Sequence, residues 1–197
     1  KVILETHRPV PLKVGFQCQN ELYWDLSSLK AKGYQGMEFW TRKPTGRKPV
    51  YRGRGRSFQW VQQGHQTPFG KPNRADDLLR QIKEAGHLPC LYFTFSRRRV
   101  EDLAWEFAPM GLLPSDRKKQ LLNQFDRLFE KYQISGEPSA GSMRELIVQG
   151  IAFHHAGLFP TLKEVVEILF ASRQIPLIVT TETFALGVNM PARSVVL

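Results

Sequence analysis

Apolar positions along this chain recur at two spacings, and the changes between them mark out the elements. Residues 10–18, VPLKVGFQC, alternate and predict a strand; Leu22, Leu26 and Leu29 share one face and predict a short helix over 21–30. RADDLLRQIKEAG places Leu78, Leu79 and Ile82 together and stops at Gly86. HLPCLYFTFS is a continuous apolar run of strand length, the pattern of a strand covered on both faces. RRRVEDLAWEFA turns Val100, Leu103, Ala104 and Phe107 inward as a helix, and residues 115–132 form a longer one with Leu121, Leu122, Phe125, Leu128, Phe129 and Tyr132 at helical spacing. ISGEPSAG reads as a loop. Ser142 with Glu145, and Thr161 with Glu164, have the spacing of capping boxes that open two further helices. Between and after them GIAFHHAG and IPLIVTT are short strands, and residues 194–197 start another. Strands alternating with helices in this order predict an α/β fold, a mainly parallel sheet with helices on both faces.

One stretch resists this reading. Residues 39–75 contain four prolines and five glycines, through which no helix could run, and not a single acidic residue. They carry nine of the chain's cations, Arg52, Arg54 and Arg56 among them, against a net charge of +10 for the whole chain. The excess is therefore local, and a local excess favours a polyanion, most often nucleic acid. Phe39, Trp40, Tyr51, Phe58, Trp60 and Phe69 are interleaved with the cations, so bases could stack there. An arm that adds RNA affinity, an insertion whose rings pack and whose charges are merely solvated, and a dock for an acidic protein all fit this composition.

Composition otherwise excludes more than it assigns. No run approaches 18 apolar residues, so no membrane helix and no membrane partner is expected. The first residues lack the pattern of a secretory signal, there is no initial Met, and the last strand is short, so the chain reads as a fragment. Cys18 and Cys90 lie in separate apolar runs, as buried free thiols of a reducing cytoplasm would.

In a parallel α/β sheet ligands gather at the carboxyl ends of the strands. Three polar clusters fall at such ends: Ser96 with Arg97 and Arg98; His154-His155-Ala156-Gly157; and the run from Thr180 to Asn189. Hydroxyls, guanidinium groups and close backbone grip phosphates and sugars. Taken singly each has a blander reading, since Ser96 is also a good helix N-cap. His154 and His155, being consecutive, point to opposite faces and could not easily share a metal ion. That leaves the pair a hydrogen-bonding role in the core or contact with nucleic acid. No GxxxxGK[ST] phosphate loop and no Ser-His-Asp arrangement occurs, so the chain should not hydrolyse a nucleotide unaided.

LYFTFSRRRVEDLA and GIAFHHAGLFPTLKEVVEILFASRQIPLIVTTETFALGVNMPARSVVL, and more loosely THRPVPLK, resemble the second RecA-like domain of DExH-box superfamily-two RNA helicases of the Ski-like, exosome-associated branch. The likeness is close over residues 88–107 and 143–197; residues 39–75 have no counterpart in it. It implies a linker and first strand over 1–38, a basic insertion over 39–75, and a RecA-like domain over 76–197 that stops before motif VI. By this likeness FTFSRRR is similar to motif IV and TTETFALGVNMPA to motif V. Ser96, Arg97, His155, Gly157, Thr181 and Gly187 would line the RNA track, and Asn189 and Glu182 would stand at the ATP cleft. ATP and Mg2+ would be held mainly by a first RecA-like domain outside this chain. RNA is the implied partner, DNA a possible one, and a binding scaffold without catalysis the alternative.

Overall fold

A computed structural model describes residues 13–37, 73–134, 136–185 and 190–197. The basic stretch, apart from its last residues, and residues 186–189 with Gly187 and Asn189 lie outside the described residues, as do Arg52, Arg54 and Arg56. The chain divides into two compact units, 1–78 and 79–197.

In the first unit β1 (Phe16–Cys18) and β2 (Glu21–Tyr23) pair antiparallel, with Phe16 opposite Tyr23. The two-residue turn between them has positive φ at Gln19 (55°) and Asn20 (66°), the hand that matches the twist of a hairpin. Helix α1 (Leu26–Met37) follows and is capped by Asp25, whose carboxylate accepts from the Ser28 backbone N–H at 2.7 Å. The expected helix over 21–30 is thus corrected: its first three residues are a strand, because the Gln19-Asn20 turn reverses the chain and an Asp places the cap at 25. Asn73 and Arg74 close on the hairpin turn. Asn73 donates to the Gln17 carbonyl at 2.8 Å, and the Arg74 N–H donates to the Asn20 side chain at 2.6 Å.

Helix α2 (Ala75–Glu84) ends as expected at Gly86, where φ is 68° and the next N–H reaches back from His87 to the Ile82 carbonyl at 3.0 Å. The second unit is built on β3 (Cys90–Phe93), α3 (Arg97–Phe107), α4 (Ser115–Lys131), α5 (Pro138–Val148), β4 (Ile151–His154), α6 (Pro160–Ala171), β5 (Leu177–Thr180) and β6 (Ser194–Val196). Its four strands are all parallel, in the order β4-β5-β3-β6. Every residue of β4 and β5 is buried, as a strand covered on both faces must be. Val100, Leu103, Ala104 and Phe107 of α3 are all buried, matching their spacing.

Two helix starts differ from the capping-box expectation. Helix α5 begins at Pro138 and α6 at Pro160, each with proline in the first turn and no side-chain cap. Proline's fixed φ is preset for the first helical position and its missing N–H costs nothing there. Ser142 and Glu145 therefore lie inside α5, and residues 138–141 belong to that helix, not to a loop. Cys90 is buried, and burial pushes its thiol up to about 11; Cys18 is half-buried, and both are free. No helix among the described residues is long and apolar enough to cross a membrane.

Candidate nucleic-acid interface

The strand order and register decide where the polar clusters fall. Phe93 of β3 is level with Thr180 of β5, and Thr180 is level with His154 of β4. β5 is central to the three, so the segments leaving β3, β5 and β4 emerge side by side from one end of the sheet. They are tied to each other. The Thr94 N–H donates to the Thr180 carbonyl at 2.8 Å, the Thr180 hydroxyl donates to the His154 carbonyl at 2.8 Å, and the Thr181 N–H reaches the same carbonyl at 3.4 Å. These bonds continue the sheet ladder into the segments where side chains begin to leave the core.

Ser96 is exposed and caps α3: its Oγ accepts from the Arg99 N–H at 3.1 Å. Arg97 opens that helix and is also exposed. A Cβ built on Gly157 would stand 3.4 Å from Arg97 Nη1 and 3.1 Å from His155 Nδ1. The guanidinium therefore lies against the bare backbone of the turn after β4, and a side chain at 157 would crowd both groups. Thr181 is half-buried, and Glu182 is exposed in the short 3-10 turn Glu182–Ala185. Glu182 and Phe184 also line, with Phe93, Phe95 and Val195, a groove of about 650 Å³.

The histidines turn inward, and to opposite faces. His154 is 6% exposed and bonds Glu167 of α6 through Nε2 at 2.9 Å; His155 is 4% exposed and bonds Glu101 of α3 through Nε2, also at 2.9 Å. The alternation along β4 thus aims each ring at a different helix. No three His, Cys, Asp or Glu side chains converge on a metal position among the described residues. His155 Nδ1 accepts from the Gly157 N–H at 3.1 Å, and its ring stacks on Phe153. Both ring nitrogens are occupied within the chain, so the ring itself shapes the turn and does not face outward. His154 Nδ1 is buried without a hydrogen-bond partner, and its ring meets Phe184 edge-on at 4.4 Å. Burial holds its pKa below the ordinary 6.5, against the raising pull of Glu167.

No family model matches the chain. Superkiller complex protein 2 of Homo sapiens is 38% identical to it over 121 residues, which is 60% of this chain and 10% of that protein. Exosome RNA helicase MTR4 of Homo sapiens is 32% identical over 136 residues, 68% of this chain and 13% of that protein. DExH-box ATP-dependent RNA helicase DExH9 of Arabidopsis thaliana is 33% identical over 133 residues, 65% and 14%. This chain is homologous to the Ski-like DExH-box RNA helicases. It spans 10–14% of the length of these relatives.

Against the Ski-like pattern, the described residues bring Ser96, Arg97, His155, Gly157, Thr181 and Glu182 to the ends of adjacent strands. Glu101, Glu167 and Phe184 stand in direct contact with the histidines, and sequence reasoning missed all three. Both glutamates sit among the polar positions of amphipathic helices, where a carboxylate looks like solvent-facing charge. Only the pairing of two consecutive histidines at a strand end, each needing a partner on its own face, hinted at them.

Proposed function

We propose that this chain is the second RecA-like domain of an ATP-dependent RNA helicase, and that its strand-end rim holds the sugar–phosphate backbone of a single strand. The observation that carries the reading is the adjacency of the β3, β5 and β4 ends, with the Arg97 guanidinium lying on the exposed turn at Gly157. A cation, a side-chain-free turn and backbone groups bind phosphate without reading bases. A motor that travels along any sequence needs that indifference. Two of the relatives are named RNA helicases, which favours RNA over DNA as the track.

In this reading Ser96, Arg97, Gly157 and Thr181 border the strand, Gly187 lets it approach closely, and His155 holds the turn from behind. Arg52, Arg54 and Arg56 belong to an arm that adds affinity. Glu182 and Asn189 face the ATP cleft from this side. ATP and Mg2+ are held chiefly by a first RecA-like domain of the longer protein. Bound ATP supplies the energy of cleft closure; this chain orients the strand and forms one wall.

The test is ATP hydrolysis by the longer protein that contains this chain, measured with RNA, with DNA and with neither. RNA should stimulate hydrolysis most, and Arg97→Ala should raise the RNA concentration for half-stimulation several-fold. No hydrolysis under any condition would leave a binding scaffold. Equal stimulation by DNA would remove the RNA assignment.

A further inference from the structure

The family likeness gives Glu101 no role, yet this side chain touches the group that shapes the rim. Its carboxylate Oε1 lies 2.9 Å from His155 Nε2. A carboxylate in this pairing accepts, so Nε2 carries the proton and donates. At the other end of the ring, Nδ1 receives the Gly157 N–H at 3.1 Å and must be unprotonated. The two bonds demand the same neutral tautomer, and each supports the other.

The ring has little freedom to do otherwise. It is buried and stacks on Phe153 at 5.7 Å with planes 15° apart. The Gly157 turn closes on it so tightly that a Cβ there would meet Nδ1 at 3.1 Å and Cε1 at 3.2 Å. Arg97 Nη1 would be 3.4 Å from that same Cβ, from the α3 side. Arg97 and Glu101 are four residues apart on one helix, hence on one face. Helix α3 therefore supplies both the cation that lies on the turn and the carboxylate that holds the turn in place.

We infer that Glu101 is a positioning residue for the rim: by holding His155 as the Nε2–H tautomer it keeps the Gly157 N–H turned inward and leaves the turn's outer surface open to Arg97 and to a phosphate. The inference rests on the proposed function, which makes that surface a binding surface. Without Glu101 the imidazole has no acceptor for Nε2–H, and the proton can move to Nδ1. A proton on Nδ1 would face the Gly157 N–H donor to donor, and the turn would have to open.

The full chain, labelled with 15N at histidine, reports the tautomer directly by NMR. Wild type should show His155 protonated at Nε2 alone. Glu101→Ala should give a mixture of tautomers and about a five-fold weaker Kd for a single-stranded oligouridylate RNA, the order of one hydrogen bond's worth. Glu101→Gln, whose amide oxygen still accepts, should restore both. A thermal melt of each variant checks that the fold persists.

An unchanged His155 spectrum in Glu101→Ala overturns the inference, whatever happens to RNA binding. A changed spectrum with unchanged RNA binding is separated by Arg97→Ala. If Arg97→Ala does weaken binding, the tautomer does not reach the rim and the inference fails. If Arg97→Ala leaves binding unchanged too, the proposed RNA rim fails, and this inference falls with it for that different reason.

Discussion

His154 is a buried imidazole with a carboxylate on one nitrogen and nothing on the other, and that asymmetry has a consequence for stability. Its pKa in the folded chain lies below the 6.5 of an exposed histidine because burial disfavours the charged ring. Glu167 faces it and draws the pKa up; Lys163 and His155, also near, push it down. Above about pH 6.5 the ring is neutral in both folded and unfolded chains, and stability is full. As pH falls below that value the unfolded chain takes up a proton that the folded chain refuses. Stability then declines until the folded-state pKa is passed. The urea midpoint should drop between about pH 7.5 and pH 5.5, and His154→Phe should lessen the drop. Gly150 offers a second test at this scale. Its φ is 83°, and a Cβ there would lie 2.8 Å from Leu113 Cγ and 3.2 Å from Pro176 Cδ. Gly150→Ala combines a left-handed backbone with overpacking, and should cost about 2–4 kcal/mol in denaturant unfolding.

At the scale of elements, α3 is the piece on which the rim depends, since Ser96, Arg97 and Glu101 all belong to its first turns. Ser96 already serves as the cap. Its hydroxyl still has a second lone pair and a proton, so capping and phosphate contact are compatible. The two roles separate by substitution. Ser96→Ala should cost about 1 kcal/mol of stability through loss of the cap. Ser96→Asp keeps the cap and complements the helix dipole, so the thermal midpoint should hold. It also places a negative charge beside Arg97, and single-stranded RNA affinity should fall all the same. An Asp variant that binds RNA normally would reduce Ser96 to a cap alone.

The elements also show why some of the fold was legible and some was not. The inward face of α3 follows from spacing and the doubly covered β4 and β5 from unbroken apolar runs, because burial on one or both faces is written into residue type; β3, expected to be covered on both faces, is buried at Cys90 and Leu91 and only half-buried at Tyr92 and Phe93. The Gln19-Asn20 hairpin was hidden by its length: two three-residue strands carry too few apolar positions to distinguish alternation from helical spacing. Helices α5 and α6 begin earlier than their capping-box serine and threonine suggest, because proline at the first position needs no side-chain cap. The three strand-end clusters were visible as polar breaks after apolar runs. Their adjacency was not, since the order β4-β5-β3-β6 is fixed by pairings across the fold and leaves no mark in local sequence. Glu101 and Glu167 were invisible for the same reason, their partners lying 54 and 13 residues away.

For the whole molecule, charge and topology assign separate tasks. The acid-free stretch holds nine cations, Arg52, Arg54 and Arg56 among them; in the proposed function it supplies long-range attraction and added affinity, and the rim a fixed track. Attraction that is only a diffuse charge effect would be indifferent to a single residue at the sheet end. A track is not. Each phosphate of a single strand that the protein no longer neutralises should lower the dependence of log affinity on log salt by ~0.7. The most direct measurement is therefore the salt dependence of single-stranded RNA binding by the full chain, compared between wild type and Arg97→Ala. The rim account predicts weaker binding and a slope shallower by ~0.7 in the variant. Identical affinity and identical slope would contradict it.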